Sequence, residues 1–242
     1  MTGVRNARSV RKYLYKVAAL LPGGLWLVRW FDPLHLARKL LYQSIADRVH
    51  YAQGRMLDIG CGVKPYRSLF SNVETYVGLD MPSVLDADIY GDGQFLPFRS
   101  ESFNTVLCNQ VLEHVPEPSR LMREVGRVLR PNGVLILTTP QTWGLHLEPY
   151  DFYRYTRYGL HYLANQAGLE VIEIVPTSGL WATLAQRLAD TMAHTYTGYD
   201  RPGYLAVRIS AAPVLLVGYL LDRIFGLQGD TLDNVLVARK PA

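Results

Sequence analysis

The 242-residue sequence predicts a doubly wound α/β domain built on a mostly parallel sheet. First, short apolar runs alternate with segments of helical period, a pattern typical of parallel strands joined by crossover helices. Second, the apolar run Met56–Ile59 leads directly into the turn Gly60–Gly62, a junction that lets a ligand approach the backbone closely. Ligands of such sheets bind at the carboxyl ends of the strands. Hydrophobic residues make up 49% of the chain, enough for a large core.

Two helices are predicted before the first strand. Apolar residues recur at helical spacing over Ser9–Leu21, and the basic residues lie on the other faces. Pro22–Gly24 ends this helix. Asp32 and Pro33 have the residue types favoured at the cap and at the first position of a second helix, which is predicted to run to about Tyr51.

Seven strands follow in the predicted order. They are Met56–Ile59, Tyr76–Leu79, Asp88–Tyr90, Phe103–Cys108, Val134–Thr139, Glu170–Val175 and Asn234–Ala238. The helical segments predicted between them are Lys64–Phe70, Glu117–Arg130 and Tyr158–Ala167. Arg130–Gly133 is predicted to form a turn before the fifth strand.

The interval Pro176–Asp233 is far longer than the usual connection between neighbouring elements. It contains two helical candidates, Trp181–Met192 and Tyr204–Phe225, and is therefore predicted to be a helical insertion. The predicted division is an N-terminal helical extension over residues 1–53, a domain over residues 54–242 and, within that domain, an insertion over residues 177–232.

The positive charge is concentrated near the N-terminus. Residues 1–50 carry nine Lys and Arg residues against two acids, whereas the rest of the chain is slightly acidic. A basic leader indicates an anionic partner, either a membrane surface or a nucleic acid, and the alternative is a solvated helix face. Trp26, Trp30 and the apolar Val214–Leu221 would suit a bilayer interface; alternatively, they pack within the protein or in a homodimer.

Several compartments are disfavoured by the sequence. The longest uncharged apolar stretch, Ile209–Leu221, has thirteen residues, which is too short for a spanning helix. The leader lacks a signal-peptide pattern. Cys61 and Cys108 do not make a disulfide framework, and no Cys/His spacing indicates zinc. We therefore expect a cytoplasmic protein without a metal, with possible peripheral attachment to a membrane.

Two acids point to a nucleoside ligand. Asp58 stands near the end of the first strand, and Asp80 ends the second strand twenty residues after Gly60. An acid at the latter place accepts hydrogen bonds from both hydroxyls of a ribose. The third glycine of a dinucleotide fingerprint is missing, and Lys64 and Pro65 stand where close packing of a helix would be needed. A nucleoside without a pyrophosphate is therefore favoured, and an NAD(P)-dependent oxidoreductase remains the alternative.

An ordered series of motifs runs from Arg55 to Pro140. It reads LDIGCG, VGLD, D-x-x-x-LPF, F-N-x-V, LEHV and RVLRPNG-x-L-x-L-x-TP. This series resembles the class I S-adenosylmethionine-dependent methyltransferases of the type 11 kind. The resemblance implies a Rossmann-like sheet of seven strands with an antiparallel last strand, which would be Asn234–Ala238.

The same resemblance implies roles for nine residues around S-adenosyl-L-methionine. Asp58, Gly60 and Gly62 would line the methionine and the ribose. Asp80 would bind the ribose hydroxyls, with Met81 against the adenine. Asp92 would bind the adenine amino group, Gly93 would offer its backbone to the ring, and Asn109 and Gln110 would border the methionine end. The structural alternatives are that Asp80 caps a strand and that Asp92 forms a turn. Glu113 and His114 either take part in catalysis or satisfy nearby backbone groups.

The segment Gln141–Thr156 follows the fifth strand, at an edge of the sheet where loops carry function. His146 is the best candidate for a general base, because imidazoles titrate near neutral pH. Glu148 and Asp151 are further candidates, either as bases or as groups that orient His146. Arg154 would clamp a carboxylate or phosphate of the substrate, or pair with Asp151. Trp143, His146, Tyr153 and Arg154 are the predicted substrate contacts.

The sequence thus predicts methyl transfer from S-adenosylmethionine to a small molecule, with O-methylation favoured. Lipid-linked, saccharide, aromatic and isoprenoid acceptors all remain open. A non-catalytic methyltransferase-like binding or membrane-scaffold protein is an alternative from another class. Methylation of nucleic acid is disfavoured, since Asn109–Leu112 stands where a (D/N)-PP-(Y/W) motif would be expected.

Overall fold

A computed structural model describes residues 32–82, 86–195, 202–226 and 229–242. The predicted helix Ser9–Leu21, Trp26 and Trp30 lie outside the described residues, so the predictions made for them stay predictions, as does the domain boundary at residue 53. The chain divides into two compact units. One contains the sheet and comprises residues 41–177 and 232–242; the other is helical and comprises the described residues of 32–40 and 178–231.

The sheet unit holds seven strands, as predicted. They are β1 (Arg55–Ile59), β2 (Thr75–Asp80), β3 (Ile89–Tyr90), β4 (Phe103–Asn109), β5 (Leu129–Pro140), β6 (Glu170–Pro176) and β7 (Asp233–Arg239). Their spatial order is β3-β2-β1-β4-β5-β7-β6. The pairs from β3 to β5 are parallel, and β7 is antiparallel to both of its neighbours. The chain order reverses between β1 and β4, so a ligand crevice is expected at their carboxyl ends.

Helices cover the sheet because its strands are apolar on both faces. Three helices have residues in this unit: α1 (His35–Ala46), within which the division between the units falls, α2 (Pro118–Val128) and α3 (Arg157–Gln166). Along β5, Leu135 and Leu137 join one core cluster, whereas Val134 and Ile136 join the other. This alternation is the period of two expected of a strand buried on both sides.

Two local predictions were wrong. The predicted helical segment Lys64–Phe70 is only a short 3₁₀ turn at Arg67–Leu69. Lys64 has a φ of 53° and precedes a proline, and neither feature suits an α-helix.

The second correction concerns the start of β5. Helix α2 ends at Val128, two residues before the predicted end, and the predicted turn 130–133 lies within the long strand β5. A bulge accommodates these residues, because the β4–β5 register shifts between Phe103 and Thr105 and Asn132 has a φ of 63°.

The helical unit contains α4 (Leu180–Thr195) and α5 (Pro202–Phe225), which include the two predicted helical candidates. Small residues bring these helices together: a Cβ added to Gly218 would lie 2.3 Å from the Cβ of Ala185. Asp222 accepts hydrogen bonds from the backbone N–H groups of Gly179 and Trp181 at 2.7 and 2.9 Å, which anchors the start of α4. Among the described residues, no helix is long and apolar enough to cross a membrane.

Candidate functional site

The glycine turn (Gly60–Gly62) follows β1 and is hydrogen-bonded to the carboxyl end of β2. Gly60 and Gly62 have φ values of +70° and +52°, which favour glycine. The N–H of Gly60 donates to the carbonyl of Leu79 at 2.8 Å, and the N–H of Gly62 donates to Oδ2 of Asp80 at 2.8 Å. A Cβ on Gly60 would lie 2.2 Å from Cγ2 of Val111, whereas no atom lies within 4 Å of a Cβ on Gly62. The turn is therefore packed at its first glycine and open at its second.

The carboxylate of Asp80 holds this turn in place. Its second oxygen, Oδ1, accepts from the N–H of Met81 at 2.7 Å, and the side chain of Met81 is half exposed. Asp80 thus caps the end of its strand, which is the structural role given above as the alternative to binding a ribose. Each carboxylate oxygen has two lone pairs, so these bonds leave Asp80 able to accept from a diol as well.

Asp58 is buried at the end of β1, with 2% of its surface exposed. The hydroxyl of Tyr76 donates a hydrogen bond to its Oδ2. Burial raises the pKa of Asp58 to about 7, and the nearby charge of Asp80 adds to this effect. A cation bound beside Asp58 would favour the ionised carboxylate.

Asp92 caps the 3₁₀ turn Gly93–Phe95, as its structural alternative foresaw. Its Oδ1 accepts from the N–H of Gln94 at 2.8 Å, and both carboxylate oxygens lie within 3.3 Å of Nε2 of Gln94. Gly93 packs tightly, because an added Cβ would lie 2.7 Å from Cδ1 of Leu121. The adenine contacts assigned to Asp92 and Gly93 stay predictions.

Asn109 and Gln110 lie where β4 ends. Oδ1 of Asn109 accepts from the hydroxyl of Thr138 at 2.7 Å. Gln110 has a φ of 54°, and its Nε2 donates to Oδ1 of Asp233 at 3.1 Å. Burial raises the pKa of Asp233 to about 6. These bonds tie the ends of β4, β5 and β7 together, and contact with a cofactor stays a prediction for both residues.

The β5 loop (residues 141–156) is organised by Asp151. Arg154 donates to both of its carboxylate oxygens at 2.7 Å, and the backbone N–H of His146 donates at 2.9 Å. The bonds from Arg154 hold the pKa of Asp151 well below its usual range, so Asp151 is ionised at neutral pH. Arg154 also donates to the carbonyl oxygens of Trp143 and Gly144. Arg154 is therefore paired within the loop, and an additional role in clamping an anion stays a prediction.

His146 is oriented by the same network. Its Nδ1 lies 3.3 Å from Oδ2 of Asp151 and 3.2 Å from the carbonyl oxygen of Gly144. Glu148 is exposed farther along the loop, and the hydroxyl of Tyr153 donates to the carbonyl of Pro116 at 3.0 Å. Of the three predicted bases, only His146 combines partial exposure with an acidic partner.

The turn that follows β4 and the β5 loop together form a cluster of side chains that the sequence did not predict. Glu113, His114 and His146, hereafter the Glu-His-His cluster, each offer a ligand atom within 4.8 Å of the others. The imidazole rings lie 4.7 Å apart between centroids, in an edge-to-face arrangement. Glu113 is fully buried, and burial raises its pKa to about 8. Only the Glu113–His114 dipeptide was visible in the sequence, because His146 is 32 positions away and meets it through the pairing of β4 with β5.

Comparison with known proteins gives a consistent assignment of the fold. Residues 57–137 match the model of a type 11 family described as a methyltransferase domain. The chain is similar to a ubiquinone biosynthesis O-methyltransferase of Xanthomonas oryzae pv. oryzae, with 27% identity over 133 residues that cover 46% of this chain and 56% of the relative. The chain thus spans about half the length of the curated relatives it matches.

Two solved structures share the fold. The [4+2]-cyclase SpnF has a TM-score of 0.56 and 22% identity, covering 84% of this chain and 80% of its own. Phosphoethanolamine N-methyltransferase 2 of Haemonchus contortus, solved with phosphomonomethylethanolamine and S-adenosylhomocysteine, has a TM-score of 0.56 and 18% identity, covering 83% of this chain and 52% of its own. A cyclase and a methyltransferase share this architecture, so the site must carry any argument about activity.

Proposed function

We propose that the chain is a class I S-adenosylmethionine-dependent methyltransferase, which transfers a methyl group from S-adenosylmethionine to a hydroxyl oxygen of a small molecule. The match of residues 57–137 to a methyltransferase domain supports this proposal. The observation that carries the proposal is the glycine turn bound to Asp80 at the reversal point of the sheet. The match to a methyltransferase domain favours methyl transfer over the NAD(P)-dependent alternative, in agreement with the missing third glycine.

The residues around the turn fit the cofactor. The open space over Gly62 admits a ligand against the backbone, and Asp80 has lone pairs for a ribose diol. Asp58, buried nearby, gains a partner when an amino-acid ammonium binds. S-adenosylmethionine supplies an electrophilic methyl group, so the chain has to hold the acceptor oxygen in line with it and remove the hydroxyl proton.

His146 is the proposed general base in the metal-free protein. With the Nδ1 proton directed at Asp151 and Gly144, Nε2 keeps its lone pair and accepts the proton of the acceptor hydroxyl as the new O–CH₃ bond forms. Asp151 acts as a positioning residue, and Arg154 holds it. Trp143, Tyr153 and Arg154 remain the proposed contacts of the acceptor, and Glu148 the less favoured base. An amine acceptor is the less favoured case, because amines require less help from a base.

Calorimetry tests the cofactor assignment. The full chain is titrated with S-adenosylmethionine and, separately, with NADH. We expect one S-adenosylmethionine site per chain and no heat from NADH. Binding of NADH without binding of S-adenosylmethionine would refute the proposal. Radiolabelled methyl transfer to a panel of phenols, saccharides and isoprenoid alcohols then identifies the acceptor class, and transfer to amines alone would overturn O-methylation.

A peripheral membrane contact is the proposed role of the helical unit, within the predicted insertion 177–232. Helix α5 exposes a set of large apolar side chains: Ile209, Val217, Leu220, Ile224 and Phe225. These support an interfacial location, with a homodimer as the alternative and nucleic acid disfavoured. Flotation with anionic liposomes, with and without residues 1–32, tests it. Equal recovery of both forms in the bottom fraction would contradict membrane contact, and sedimentation equilibrium would then reveal a dimer.

A further inference from the structure

The Glu-His-His cluster lies where β4 and β5 end side by side. Glu113 and His114 belong to the 3₁₀ turn after β4, and His146 lies in the β5 loop. All three ligand atoms fall within 4.8 Å of one another. Bonds from a tetrahedral Zn²⁺ to nitrogen and oxygen are about 2.0–2.1 Å long, which places the ligand atoms roughly 3.3 Å apart. The limit of 4.8 Å exceeds this separation by about 1.5 Å, so adjustments of about 1 Å in the side chains would close the site.

One carboxylate oxygen of Glu113 is buried without a hydrogen-bond partner among the described residues. Its Oε2 accepts from the hydroxyl of Thr139 at 3.1 Å. Its Oε1 is buried and has no hydrogen-bond partner among the described residues, and Nε2 of His114 lies 3.8 Å away. A buried polar atom without a partner is uncommon in native proteins and calls for an explanation such as a bound ion.

Both histidines have the orientation of metal ligands. Nδ1 of His114 lies 2.6 Å from the carbonyl oxygen of Tyr150, and Nδ1 of His146 faces Gly144 and Asp151. Metal-bound histidines nearly always donate the proton of one ring nitrogen to a carbonyl or carboxylate, which leaves the other nitrogen for the ion. In His114 and His146 the Nδ1 atoms face these oxygens, so the Nε2 atoms are the ones left to bind an ion.

We infer that Glu113, His114 and His146 bind a first-row divalent cation of the Zn²⁺ class. Two imidazoles and one carboxylate suit Zn²⁺ and its neighbours better than Mg²⁺, which prefers oxygen ligands. Three protein ligands leave a coordination position open for an oxygen of the acceptor. The binding of the ion does not depend on methyl transfer, although its use does rest on the proposed function. With the ion present, Nε2 of His146 is coordinated, and the ion activates the acceptor hydroxyl, whose proton leaves to water.

Metal titration tests the inference directly. Tag-free full-length protein is stripped with EDTA, dialysed, and titrated with Zn²⁺ by calorimetry and with Co²⁺ by visible absorption. We expect one ion per chain and the intense absorption of Co²⁺ at low coordination number. His114→Ala and His146→Ala should each weaken binding at least about tenfold, because each removes one of three ligands. Glu113→Gln should do the same, with its melting temperature measured because the side chain is buried.

His161→Ala is the matched control, since His161 is exposed on α3 and pairs with Asn165. It should bind the ion as the wild type does. The inference is overturned if the wild type binds no stoichiometric ion, or if His114→Ala and His146→Ala bind it unchanged. Binding of S-adenosylmethionine in EDTA separates the two proposals. If the ion binds but S-adenosylmethionine does not, the metal site stands and the proposed function fails. If S-adenosylmethionine binds and methyl transfer proceeds while the titrations detect no bound ion, the metal inference fails and His146 keeps the role of base.

Discussion

The two halves of the candidate site are built in different ways. The half proposed to bind the cofactor, hereafter the cofactor half, consists of the glycine turn with Asp58 and Asp80. Its contacts are made within and between two adjacent parallel strands and the turn that follows the first of them. The half proposed to bind the acceptor, hereafter the acceptor half, consists of the β5 loop and the Glu113–His114 turn. The contacts that join these two segments link residues more than thirty positions apart. The first half depends on backbone conformation, whereas the second depends on a network of side chains.

This difference indicates which property a substitution in each half should change. Substitutions in the cofactor half should change the affinity for S-adenosylmethionine or the stability of the sheet unit. Substitutions in the acceptor half should change turnover and leave cofactor affinity as it was. The predictions below test that separation, and any variant that affects both quantities equally would show that the halves act as one.

The largest expected effect is that of His146→Ala. We expect turnover on an identified acceptor to fall by about 10²–10⁴-fold, the usual contribution of a general base, because the acceptor hydroxyl keeps its proton. The same direction holds if His146 coordinates an ion. Affinity for S-adenosylmethionine, measured by calorimetry, should be unchanged. The control His161→Ala should keep full turnover, and full turnover in His146→Ala itself would remove His146 from the mechanism.

The next effect is that of Asp80→Ala on the cofactor. Hydrogen bonds to a charged group contribute about 1.5–3 kcal/mol, so affinity for S-adenosylmethionine should fall by roughly 10–150-fold. Loss of the bonds to Gly62 and Met81 adds to this effect, because the turn is no longer held. Asp86→Ala is the matched control, since Asp86 is an exposed acid in the connection that follows β2. Equal affinities in the two variants would refute the ribose assignment.

A pair of glycine substitutions separates stability from binding within the cofactor half. Gly60→Ala places a Cβ 2.2 Å from Cγ2 of Val111 in a left-handed conformation, so the free energy of unfolding should fall by about 1–3 kcal/mol. Gly62→Ala meets no atom and should cost only about 1 kcal/mol, the strain of its positive φ. Its Cβ occupies the open space instead, so affinity for S-adenosylmethionine should fall more in Gly62→Ala. Urea unfolding and calorimetry measure both quantities, and the opposite ranking would contradict this view of the turn.

The sequence predicted the strands and the glycine turn of the cofactor half because the signals for them are local. The strand Met56–Ile59, the two glycines and the acid twenty residues later all lie within a short span, and short runs rich in apolar residues located the strands. The failures were local conflicts. Lys64–Phe70 has helical composition, but the positive φ at Lys64 and the following proline prevent a helix.

The acceptor half was predicted only in outline. Residue types in Gln141–Thr156 identified the loop and the Asp151–Arg154 pair as one alternative. No local pattern could place His146 against Glu113 and His114, because that meeting depends on the pairing of β4 with β5 and on the path of each loop. The expectation of no metal rested on the lack of Cys/His spacing, and spacing along the chain carries no information about ligands that come from separate loops.

The smallest expected effect concerns pH and again belongs to the cofactor half. Burial raises the pKa of Asp58 to about 7, so the carboxyl group of the cofactor-free protein is protonated below that pH and ionised above it. In the proposed site, the ionised form of Asp58 faces the ammonium of S-adenosylmethionine. As the pH rises toward 7, affinity should therefore increase by up to about tenfold per pH unit, and it should level off above pH 7. Stability changes in the opposite sense. The native state holds a proton that the unfolded state releases near pH 4, so the contribution of Asp58 to stability falls as pH rises from about 4 to 7.

Asp58→Asn should bind S-adenosylmethionine more weakly at pH 8, and its affinity should depend less on pH. Calorimetry from pH 5.5 to 8.5 measures both. If the affinity of Asp58→Asn follows the same pH curve as that of the wild type, another group controls the ammonium site, and the cofactor half then depends on more than the two strands.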